Sequence, residues 1–108
     1  MRNALVLLVS IFLLPSLSQA TPISPERQKE LLHLLKQDCG SCHGMTLKGG
    51  LGPDLHPERL NRLPRQFLLD AILLGRPGTP MPPWNTMLSA AEAEWLLNQL
   101  LQGSHYEK

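Results

Sequence analysis

The sequence predicts an all-α protein of three main helices and two long loops. Three observations lead there. Apolar residues concentrate in three leucine-rich stretches with helical spacing, and no stretch alternates with the period of two expected of a strand. The Gly/Pro-rich segments between them are long for so short a chain, which is unusual unless a loop serves a function or wraps a ligand.

The chain opens with a basic residue, Arg2, an apolar run over residues 4–14 broken only by Ser10, then Pro15 and the small residues of Ser18-Gln19-Ala20. This is the layout of a secretory signal peptide. A run of eleven residues falls short of the ~20 needed to span a bilayer as a helix, which argues against the alternative of an uncleaved anchor. The expected organisation is therefore a cleaved signal peptide at 1–20 and one domain at 21–108, located in the periplasm.

Ser24-Pro25 supplies an N-cap hydroxyl and a proline at the first helical position. Leu31, Leu32, Leu34 and Leu35 follow at helical intervals, so a helix is expected from residue 25 to about residue 38. The second stretch follows Pro64, with Phe67, Leu68, Ala71, Ile72 and Leu74 on a helical period. Gly75 is placed to end it, and Pro77 cannot continue it. The third opens with Ser89-Ala90-Ala91-Glu92, a capping box, continues through Trp95, Leu96, Leu97, Leu100 and Leu101, and closes at Gly103.

Of the 108 residues, 43% are hydrophobic, and the net charge is +1. This balance does not support a nucleic-acid binder or a polybasic membrane-surface protein. Without residues 1–20 the chain has 88 residues and is formally neutral. A domain of that size buries a limited core, and the two cysteines lie too close in sequence for a disulfide to tie distant parts together. A large apolar cofactor would complete the core.

Cys39-Gly40-Ser41-Cys42-His43 is a C-x-x-C-H motif, the attachment signature of c-type haem. Two thiols three positions apart on one turn can each bond a vinyl group of one macrocycle, leaving the adjacent imidazole for the iron. The small Gly40 and Ser41 let the ring approach the backbone. A thioredoxin-like pair needs a βαβ context, a structural zinc site needs four ligands, and a plain disulfide leaves His43 without a role.

The second axial ligand is expected from Met81. It lies in Gly78-Thr79-Pro80-Met81-Pro82-Pro83, where flanking prolines restrict the backbone and reduce the entropy cost of holding a weak thioether. Imidazole opposed by a thioether raises the reduction potential. Met87 is a reserve ligand, and Met45 lies too near His43 to reach the other face of the ring. His33, His56 and His105 are read as surface or hydrogen-bonded residues, with His56 the first alternative for bis-histidine ligation. A carbonyl in the Gly52-Pro53-Asp54-Leu55 turn could accept the free ring N–H of His43. Trp84 is a candidate partner for a haem propionate and Trp95 a core residue.

In this order of motifs the sequence resembles the class I cytochromes c over nearly all of residues 21–108. In that family a G-P loop supplies the carbonyl for the haem histidine and an M-P loop the distal sulfur, roles that the resemblance assigns to Pro53 and Met81. It also implies that the terminal helices cross, bringing Leu31 and Leu35 near Trp95 and Leu96. Asp38-Cys39-Gly40-Ser41-Cys42-His43-Gly44-Met45-Thr46 and Gly75-Arg76-Pro77-Gly78-Thr79-Pro80-Met81-Pro82-Pro83-Trp84 are similar to the small 55X-type cytochromes c, which are associated with nitrite reductase in denitrifying bacteria. That narrower resemblance implies electron transfer in nitrite reduction or a part in maturing the reductase's second haem.

The reading is a monomeric one-electron carrier rather than an enzyme, with haem c as cofactor and redox proteins as partners, among them nitrite reductase or its electron donor. A sensor or enzyme with an open sixth position and a haem-maturation factor are the rival readings. Between Lys48 and Arg76 five basic residues (Lys48, Arg59, Arg62, Arg65, Arg76) face three acidic ones, an excess that could steer an acidic partner. The alternative for these arginines is pairing with haem propionates or a solvated face.

Overall fold

The computed structural model describes residues 10–17 and 21–103. Most of the expected signal peptide (1–9 and 18–20) and His105 lie outside the described residues. Residues 10–17 have no regular secondary structure, and their large apolar side chains are exposed. Among the described residues there is no strand, and no helix is long and apolar enough to cross a membrane.

Helix α1 spans Pro25–Leu34, with the Ser24 side chain accepting the Arg27 N–H at 3.2 Å. The helical path was expected to end near residue 38, but it continues. A π turn occupies Leu35–Cys39, marked by the Gly40 N–H donating to the Leu35 carbonyl five residues back, and leads directly into α2, Gly40–His43. The C-x-x-C-H motif is therefore helical. A further helix, α3 (Pro57–Leu60), lies in the segment read as an unbroken loop, with Pro57 at its first position and Leu60 buried. Helix α4 is Arg65–Leu74, ended by Gly75, and α5 is Ala90–Gln102.

Helix α5 is the hub of the fold. It packs against α1, α3 and α4 and buries Ala93, Leu96, Leu97 and Leu100 on one side. Its start carries the full capping box: the Glu92 N–H donates to Ser89 Oγ and the Ser89 N–H to Glu92 Oε2. Gly103 ends it in the left-handed conformation. Leu31 and Leu35 join Leu96 in one core, with Trp95 packed against it, so the first and last helices meet as the resemblance implied.

Two arginines fasten these helices from outside. Arg27 on α1 donates to both Glu92 oxygens (2.7 and 3.2 Å), to Glu30 and to the Met87 carbonyl. Arg65 on α4 bonds Glu94 and Asn98 of α5. The guanidinium of Arg27 holds the Glu92 carboxyl below the usual carboxylate range, with the Ser89 N–H adding to the effect.

Candidate functional site

A cavity of about 700 Å³ opens between the helices and both long loops, within the range of cofactor sites. Its lining is mostly apolar and includes Leu34, Leu35, Leu60, Phe67, Leu68 and Leu97. The polar and reactive groups come from few places. Asp38, Cys39, Ser41, Cys42 and His43 line it from the π turn and α2, and Thr79 and Met81 from the second loop. Arg59 and Arg76 also line it. The first bonds the Asp54 carbonyl at 3.1 Å, and the second stands over the Phe67 ring at 4.7 Å from its centroid.

The structure brings Cys39, Cys42, His43, Met81, Pro53 and Trp84 to this one cavity. Met87 is 57% exposed and outside the lining, as are His33 and His56. Among the described residues, that leaves Met81 as the cavity's thioether and His43 as its imidazole. Cys39 and Cys42 are not joined in a disulfide, and as an unbonded thiol Cys39 is pushed up to about 11 by burial, with Asp38 adding to the rise. Among the described residues no group of three or more His, Cys, Asp or Glu side chains could hold a metal ion, so the zinc alternative has no ligand set here.

His43 is only 8% exposed, and its Nδ1 lies 2.7 Å from the Pro53 carbonyl oxygen. A carbonyl only accepts, so the contact assigns the proton to Nδ1 and leaves the Nε2 lone pair available to a metal. The loop that brings Pro53 there is pinned to the end of α2: the Gly49 N–H donates to the His43 carbonyl and the Gly52 N–H to the Cys42 carbonyl, both at 2.8 Å. Gly52 is also the seat of the ring. A Cβ built on it would stand 2.8 Å from both Cε1 and Nδ1 of His43. The sequence reading has the glycines of this turn letting a carbonyl approach the histidine, and the structure adds that the absent side chain of Gly52 makes room for the ring itself.

Met81 is held by a tight turn. The Arg76 N–H donates to the Met81 carbonyl at 3.1 Å, Thr79 Oγ1 donates to the Arg76 carbonyl at 2.6 Å, and the Met81 N–H donates to Thr79 Oγ1 at 3.3 Å. Beyond Pro82-Pro83, the Trp84 N–H donates to the Ile72 carbonyl at 3.0 Å and ties the loop back to α4. Thr79 was a residue that the sequence reading did not single out.

This donor set fits a covalently attached haem. Two thiols sit three positions apart on a helical segment, an oriented imidazole is at hand, and a thioether lines the same apolar space.

Comparison with known proteins agrees. The sequence profile of the family described as cytochrome c oxidase, cbb3-type, subunit III, matches residues 26–98. Cytochrome c55X of Pseudomonas aeruginosa is 53% identical over 90 residues, 83% of this chain and 75% of that protein. Among solved structures, the c-type cytochrome NirC aligns with a TM-score of 0.75 at 54% identity, covering 78% of this chain and 99% of that one. The dihydro-haem d1 dehydrogenase NirN, solved in complex with DHE, aligns at 0.63 and 39% identity over 70% of this chain but only 16% of its own. By sequence and fold together, this chain belongs to the 55X-type cytochromes c, whose cofactor is a covalently attached haem c.

Proposed function

We propose that the protein is a periplasmic one-electron carrier of the nitrite reductase system. In this reading Cys39 and Cys42 would hold the haem, and His43 and Met81 would hold its iron. Bound there, the haem supplies an iron that takes up and gives back a single electron. The chain's part is to keep both axial side chains in place in either oxidation state and to exclude water. Pro53, through its carbonyl, orients His43 and makes it a stronger donor. Trp84 is assigned to a haem propionate. The leader at 1–20 would direct export and be removed after Ala20.

The observation that carries this reading is the 2.7 Å contact from His43 to the Pro53 carbonyl in the same cavity that Met81 lines. With His43 and Met81 both lining the cavity, the chain would supply two ligands to the iron, which supports electron transfer over binding of a substrate there. The connection to nitrite reduction rests on the likeness to cytochrome c55X and NirC. A second reading, redox service in maturation of the reductase's second haem, is supported by the likeness to one part of the dihydro-haem d1 dehydrogenase.

One preparation tests both cofactor and ligands. The chain is exported in a host with haem-attachment machinery, and its spectrum is recorded in both oxidation states. The expected result is one covalent haem per chain and a ferric sulfur-to-iron band in the far red that Met81→Ala abolishes. No covalent haem overturns the reading. Covalent haem without that band removes Met81 as ligand and favours an open-site sensor or enzyme.

A further inference from the structure

Gly75 is buried at the end of α4 with φ +69°, a conformation that side-chain-bearing residues rarely adopt. Its closest neighbours are not the helix but the second loop. A Cβ on Gly75 would stand 2.7 Å from the Met81 carbonyl oxygen and 2.8 Å from both Pro82 C and Pro83 N. The main chain of residues 81–83 thus lies directly across the glycine.

That main chain has little freedom to step aside. Pro82 and Pro83 each fix their φ. On one side the 76–81 turn is closed by the Arg76 N–H bond to Met81 and by the Thr79 hydroxyl. On the other, the Trp84 and Asn85 N–H groups are bonded to the Ile72 and Leu73 carbonyls of α4. A side chain at position 75 therefore moves 81–83 as a unit, and the Met81 thioether moves with it.

We propose that Gly75 is a positioning residue for the distal ligand: its missing side chain sets the depth at which the Met81 backbone lies, and hence the reach of the sulfur to the iron. The inference rests on the reading of Met81 as axial ligand. It separates two roles of a glycine that usually coincide, permissive conformation and close approach. Gly78, in the same loop, supplies the contrast. It also has positive φ (+80°), but a Cβ there meets nothing within 4 Å.

The test compares wild type, Gly75→Ala and Gly78→Ala as exported holoproteins. Four readouts are taken: covalent haem content, far-ultraviolet circular dichroism, the ferric sulfur-to-iron band and the affinity of the ferric form for added imidazole. Gly75→Ala is expected to keep its haem and helix content, lose the band and bind imidazole at least tenfold more tightly. Gly78→Ala is expected to keep the band and bind imidazole as the wild type does. A band retained in Gly75→Ala overturns the proposal and leaves Met81 as ligand. Equal loss in both variants also overturns it, because backbone conformation rather than approach would then be the cause. So does failure of Gly75→Ala to yield holoprotein, which would make the glycine's role global. A wild type without the band overturns the ligand reading and this proposal together.

Discussion

Replacing Gly52 with alanine adds one methyl group at the seat of the haem histidine. The φ of Gly52 lies outside the left-handed region, so the backbone can accept alanine and the effect is one of approach. The added Cβ would stand 2.8 Å from Cε1 and Nδ1 of His43. Ordinary contact lies near ~3.5 Å, so ring and loop must part by about 0.7 Å. Pro53 is on the same loop, and a separation of that size carries its 2.7 Å contact with Nδ1 past the ~3.2 Å limit of a good hydrogen bond. The net worth of such a bond is about 0.5–1.5 kcal/mol.

The bond makes the imidazole a stronger donor and so favours ferric iron; weakening it raises the potential. For a one-electron couple a tenfold change is about 59 mV, so the rise is at most roughly 20–60 mV, the upper bound reached when the bond acts on the ferric state alone. A spectroelectrochemical titration of the exported holoprotein measures it, with haem content verified on a denaturing gel. A potential that falls or stays where it was would refute the reasoning about the seat of the ring.

Three further outcomes follow from the packing. Leu97→Ala, at a position 1% exposed in the core of α5, is expected to cost about 2–5 kcal/mol in urea unfolding, a large share of a stability of about 5–15 kcal/mol. Ser89→Ala removes the N-cap of α5 and is expected to cost about 1 kcal/mol, read as a drop in Tm of roughly 4–8 °C with the spectrum unchanged. Glu92 has its folded pKa depressed by Arg27, so its contribution is full above the unfolded value of about 4.3 and is lost as pH falls through the folded value. Glu92→Gln should be less stable than wild type near neutrality and converge with it in acid; a gap that stays constant down to about pH 3 would count against this linkage.

Much of the fold was legible because the relevant signals are local. Ser24-Pro25, the Ser89–Glu92 box and the stops at Gly75 and Gly103 each act within one helical turn, and all four lie where the sequence places them. The cofactor was legible too, since C-x-x-C-H is a contiguous chemical requirement. What escaped depends on neighbours distant in sequence. Leu47 is buried with φ +58°, and nothing in its local sequence calls for that conformation. Residues 57–60 are helical beside α5, although a four-residue segment has no periodicity to read. The closeness of Gly52 to the ring of His43 and of Gly75 to the main chain of Met81 is tertiary information, invisible in a string where both glycines already have a turn to explain them.

The π turn at Leu35–Cys39 has a consequence for how this kind of chain tolerates change in length. A residue advances about 100° around an α-helix, so the angular phase between the leucine stripe of α1 and the C-x-x-C-H face depends on how many residues separate them. The wide turn absorbs a residue at that junction and sets the phase of one face independently of the other. Deleting a single exposed residue there, such as Gln37, would leave every side chain of the core and the motif intact in identity. It would let the wide turn relax to ordinary α-helix and keep Cys39, Cys42 and His43 near their present phase relative to Leu31 and Leu34, whereas losing a second residue would swing them by about 100°. The loss of one codon in this segment is therefore the smaller hazard, and the loss of two the greater.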